Sequence, residues 1–191
     1  MEEHLRTVGL HYFVGLDLGK RRDHSALAVV ERRKRQTGER DWVTYRLVDE
    51  TRYGLTDLER ISLGTPYPRV VERVARLVRR QELAGRTTLF VDATGVGGAV
   101  VDMLKEARLG CTVMPVVITG GDRWKHWDGG WSVPREQLVA AMQMMLEPGE
   151  LRIAGRLRER APAAAMRCAC AGSSGPCPAQ LDQTNRIGGQ G

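Results

Sequence analysis

The chain has 191 residues, 42% hydrophobic and 27% charged, which is enough for one packed domain and too little for two with comfortable cores. That balance excludes wholesale disorder, and the start, MEEHLRTVGL, has neither the charge nor the apolar stretch of a signal peptide. No later apolar run reaches membrane-spanning length, so the sequence predicts a cytoplasmic protein with no membrane partner.

In chain order, residues 1–10 read as an N-terminal extension. Residues 12–18 (YFVGLDL) and 25–32 (SALAVVER) read as a hairpin. A charged connector over residues 33–40 leads to a third strand at 42–48 (WVTYRLV), rich in aromatic and β-branched residues. From 68 to 83 the positions Val70, Val71, Val74, Leu77 and Val78 recur at helical spacing, with arginines opposite. A strand at 87–92 (TTLFVD), a helix at 97–107, a strand at 112–118 and a helix at 134–146 follow, with Ser132 as the expected cap of the last helix and Pro134 in its first turn. This β-α-β-α rhythm implies parallel strands, so the fold class is α/β: a mixed sheet, antiparallel over its first three strands and parallel after them, with flanking helices. Residues 11–154 form the predicted domain. Residues 155–191 hold no aromatic residue and no valine, and read as a tail without core elements.

The net charge is +6, and arginine supplies nearly all of the 29 basic residues. Guanidinium groups bind phosphate in a fork, which suits a nucleic-acid partner, although a basic balance also serves solubility. Cys111, in a strand-like run, reads as a small buried hydrophobe. Cys168, Cys170 and Cys177 in the tail lack the paired spacing and histidines of a structural zinc site.

Three constellations could carry chemistry. Asp17, in Gly15-Leu16-Asp17-Leu18-Gly19, ends an apolar strand; a carboxylate there is costly unless paired or metal-bound, and the alternative is a turn cap beside a permissive glycine. Asp92 ends another buried strand before the glycine-rich turn ATGVGG, which lacks the lysine of a P-loop. Its alternative role is a helix cap, by Asp92 or Thr94, with the glycines serving close strand–helix packing. Two carboxylates at the mouth of one sheet suit hard divalent cations, and two ions about 4 Å apart can assist both sides of a phosphoryl displacement. The third is a loop mixing Arg123, Trp124, Lys125, His126, Trp127 and Trp131. It could lie on a nucleic-acid backbone or stack on a base, or its tryptophans could pin the loop to the domain.

The phrases VGLDLGKRRDHSALAVVER, FVDATGVGGAVVDMLKEA, VMPVVITGG and SVPREQLVAAMQMMLEPGELRIA together resemble the nuclease domain of phage terminase large subunits, over about residues 12–154. The resemblance implies a ribonuclease H-like fold and an endonuclease that cuts phage DNA during packaging in a bacterial host cell. It implies Asp17 and Asp92 as catalytic, metal-holding acids, with Mg2+ or Mn2+ as cofactor. Asp23 becomes a candidate secondary ligand, with an ion pair to a neighbouring arginine as its alternative. Lys20, Arg21, Arg22, Arg123 and Lys125 become candidate contacts to double-stranded DNA. Further implied partners are a terminase ATPase motor, a small terminase subunit or a portal.

The family's further acid on a late helix has no counterpart here, since neither Glu159 nor Asp182 lies in such a pattern, and the upstream motor is absent. The chain therefore reads as a domain-sized remnant, and its tail composition is what a shifted reading frame of a GC-rich gene would yield. Cleavage is expected to be weak or absent on this reading. Rival readings are a Holliday-junction-resolvase-like nuclease, a non-catalytic DNA-binding module, and an actin or sugar-kinase type of nucleotide binder, for which the chain is too short.

Overall fold

The computed structural model describes residues 6–19, 23–95, 97–154 and 157. A single eight-stranded mixed sheet organises them. In chain order the elements are β1 (Arg6–Asp17), β2 (Ala26–Arg40), β3 (Leu47–Arg60), α1 (Tyr67–Val78), β4 (Thr87–Asp92), α2 (Gly97–Glu106), β5 (Thr112–Thr119), β6 (Lys125–Trp127), β7 (Gly130–Pro134), α3 (Arg135–Leu146) and β8 (Leu151–Ile153). The sheet order is β6-β7-β5-β4-β1-β2-β3-β8. β1, β2 and β3 pair antiparallel, β4, β5, β7 and β8 join in parallel, and the β6–β7 hairpin is antiparallel. This is the mixed α/β sheet expected from the sequence, and it is consistent with a ribonuclease H-like fold. No helix among the described residues is long and apolar enough to cross a membrane.

The alternation of side chains along each strand splits the sheet into two faces. Tyr12, Val14 and Leu16 of β1, Leu27 and Val29 of β2, and Leu89 and Val91 of β4 are buried on one face. There they meet Val70, Val74, Leu77 and Val78 of α1 and Val100, Val101 and Leu104 of α2 in one core. An ion pair from Arg73 to Glu59 ties α1 to β3 at the edge of this layer. Phe13, Gly15 and Asp17, with Ala26, Ala28, Phe90 and Asp92, point to the other face. There α3 runs between β7 and β8 without burying a single residue.

Several boundaries differ from the sequence reading. β1 starts at Arg6, so residues 6–10 of the supposed extension belong to the sheet. The supposed connector at 33–40 is strand: its charges are met across the ribbon, as where Lys34 pairs with Asp49 at 2.7 Å. Much of the supposed third strand is the turn instead. Asp41 Oδ1 accepts hydrogen bonds from the Val43 and Thr44 amides and from Thr44 Oγ1, and this local network overrides the β-propensity of Trp42, Val43 and Tyr45. β3 proper then begins at Leu47. α1 stops at Val78, and Leu83 is buried from the turn that follows. Ser132 lies in β7 and does not cap α3, whose N-cap position is held by Pro134 without a side-chain hydrogen bond. Cys111 is half-buried against the core, and burial pushes its thiol pKa up. The tail, with Glu159, Asp182 and the three tail cysteines, lies outside the described residues apart from Leu157.

Candidate functional site

The parallel pairing of β1 with β4 sets Leu16 opposite Val91, so the next residues, Asp17 and Asp92, fall side by side where both strands end. Each acid is the last residue of its strand. Both line one cleft of about 1000 Å³ on the face opposite the core. Its floor is apolar, built from Gly15, Ala26, Ala28, Phe90, Val116 and Ile118, and its far side is closed by Trp124, Trp131 and the first turns of α3.

Local chemistry fixes the acids. Asp92 Oδ1 accepts the Thr94 amide at 2.8 Å, and Thr94 Oγ1 accepts the Ile118 amide at 3.2 Å, which ties the turn after β4 to β5. The turn reverses through Gly95 at φ 75°. α2 then starts so close to β4 that a Cβ on Gly97 would overlap the Asp92 carbonyl oxygen. Gly97 therefore serves close strand–helix packing, as the sequence allowed, while Gly95 serves the turn and a Cβ on Gly98 would meet open space. At the other acid, the Gly19 amide donates to Ser25 Oγ at 3.0 Å, and the Ile61 amide donates to the Ser25 carbonyl at 2.8 Å, closing the base of the β1–β2 connection.

The Asp17 carboxyl is held above the usual carboxylate range. Partial burial is the main cause, followed by the negative charges of Asp92 and Asp23, and the Leu18 amide opposes the shift. Mutual repulsion of this kind is what a bound cation relieves. Asp23 acts on Asp17 through its charge, but it lines a separate hollow of about 170 Å³ with Ser62, Gly64 and Thr65. Among the described residues no group of three or more Asp, Glu, His or Cys side chains forms a ready ligand set.

Lys20, Arg21 and Arg22 lie outside the described residues. Arg123 and Lys125 are exposed on either side of Trp124. The stretch read as a loop becomes strand from Lys125 onward and forms the β6–β7 hairpin, with Arg123 and Trp124 just before it. Trp127 pairs with Gly130 across the two-residue turn Asp128-Gly129, with Gly129 at φ 91°, and Asp-Gly is the sequence signal that could have revealed it. Trp131 packs against Trp124 at 5.1 Å between ring centroids, the rings tilted, and meets His126 edge-on at 4.6 Å. Sequence reasoning missed Arg135 and Gln137, which the start of α3 brings into the cleft; Gln137 Nε2 donates to the Asp122 carbonyl at 2.6 Å. Comparisons with protein-family models, with curated proteins and with solved structures found no match to this chain.

Proposed function

We propose that the chain is a divalent-metal-dependent DNA endonuclease domain of the terminase large-subunit kind. The observation that carries this reading is the pairing of Asp17 with Asp92 at the ends of adjacent parallel strands, at the mouth of a cleft, with Asp17 held above its ordinary pKa. Strand ends of open α/β sheets are where ligands gather.

The two carboxylates fit a hard cation such as Mg2+ or Mn2+: they supply oxygen ligands whose mutual repulsion the ion would offset. Mg2+ keeps several waters, so a two-acid site leaves coordination positions for water and substrate oxygens. When bound, such an ion polarises a phosphoryl oxygen and lowers the pKa of its water. The chain's own residues do the rest. Asp17 and Asp92 fix the position of the charge, and the Thr94 amide holds the Asp92 carboxylate in place. Arg135 in the cleft, with the exposed Arg123 and Lys125 flanking Trp124, neutralises DNA phosphates without reading sequence. In this reading the substrate is phage DNA in a bacterial cytoplasm, and a packaging motor, a small terminase subunit or a portal is the partner that delivers it.

The test is nicking of supercoiled plasmid by the full chain in Mn2+ or Mg2+, beside Asp17→Asn and Asp92→Asn. Metal-dependent nicking lost in both variants supports the reading. DNA binding that survives EDTA, with no nicking under either metal, would identify a non-catalytic DNA-binding module.

A further inference from the structure

The cleft carries more than two acids, and its other walls suit a different part of a nucleic acid. Trp131 and Val133 of β7 continue the open face beside Val116 and Ile118 of β5. The Trp124 indole, 60% exposed, is held against Trp131 with the rings inclined by 35°. The hairpin packs closely on β5: a Cβ on Gly130 would lie 2.5 Å from the Trp127 ring and 2.7 Å from the Pro115 carbonyl oxygen. Floor and indole wall together are almost wholly apolar, while Arg135 supplies positive charge at the start of α3. Among the described residues no acid pairs with Arg135.

The outside of a double helix is a polyanion with its base faces stacked away, so it would leave an apolar floor and an exposed indole unmatched. An unstacked base offers a flat π-face to the indoles while its phosphate meets Arg135. We infer that the Trp124–Trp131 wall takes an unpaired nucleobase, so that this site prefers single-stranded DNA, or a locally melted strand, over intact duplex. The inference rests on the nuclease reading for the placement of the phosphate beside Asp17 and Asp92, and it specifies the substrate class of that site.

The test is fluorescence anisotropy of a labelled dT12 and of a labelled 12-base-pair duplex with the full chain in EDTA, read together with quenching of tryptophan emission. The expected result is binding of dT12 at least tenfold tighter than duplex, accompanied by quenching. The affinity should weaken about tenfold in Trp124→Ala and in Trp131→Ala and be restored by Trp124→Phe, since base–aromatic stacking is worth about that much. Equal or tighter duplex binding, or affinity for dT12 unchanged in both alanine variants, overturns the inference. Nicking of plasmid without a single-strand preference overturns it while leaving the nuclease reading intact. Single-strand binding with quenching but no nicking upholds the base site and removes the catalytic role instead.

Discussion

The two faces of the sheet are built from the same strands and do opposite work. The face under α1 and α2 is sealed: Val14, Val70, Val74, Leu89, Val91, Val100 and Leu104 have no solvent exposure. The face toward α3 stays open, with a cleft where a second helical layer could have packed, and it displays Asp17, Asp92, Phe90 and the indole wall. Leu138, Val139 and Met142 of α3 remain well exposed above it. Burial thus changes between successive residues of one strand: Leu16 and Val91 belong to the core, and the neighbouring Asp17 and Asp92 open on the cleft.

That division orders the expected effects. Leu89→Ala or Leu104→Ala, on the sealed face, should cost about 2–5 kcal/mol in urea unfolding, because each leaves a cavity that helix and sheet cannot both collapse into. Gly97→Ala should cost about 1–3 kcal/mol, because the added methyl must push α2 off the Asp92 carbonyl, and it should weaken Mn2+ binding as well. On the open face, Leu138→Ala or Met142→Ser should change stability by no more than about 0.5 kcal/mol, as surface substitutions do.

One effect on the open face has the opposite sign. The folded state holds the Asp17 proton more tightly than the unfolded chain does. The metal-free protein should therefore lose stability as pH rises from the ordinary carboxylate value through the raised pKa of Asp17. Asp17→Asn should flatten that slope in a series of melting curves and raise Tm slightly at neutral pH. The gain should stay under about 1 kcal/mol, because the group is largely open to screening solvent. A steeper fall in Asp17→Asn would show that the repulsion lies elsewhere.

Most of the architecture was legible because the buried face imposes period-two strands and a strongly amphipathic α1, and β4 matched its sequence reading residue for residue. Asp17 and Asp92 stood out as acids ending apolar strands, and the β-α-β rhythm implied parallel strands; the sheet order that sets β4 beside β1 is a property of the fold that this rhythm does not encode. What escaped was governed by local hydrogen bonding or by distance in sequence. The Asp41 turn captured residues whose propensity favoured strand, and the β2–β3 ribbon is charged on both sides, so it lacks the alternation that marks a half-buried strand. Arg135 reaches the cleft only because α3 leaves β7 across the open face, a path that no local pattern encodes.

The most direct measurement is thermal denaturation of the full chain with and without Mn2+, beside Asp17→Asn and Asp92→Asn. A ligand that binds only the folded state raises Tm with its concentration. The two-acid site predicts a Mn2+-dependent rise in the wild type that is lost in each variant; no rise in a folded wild type, or an equal rise in both variants, would contradict it.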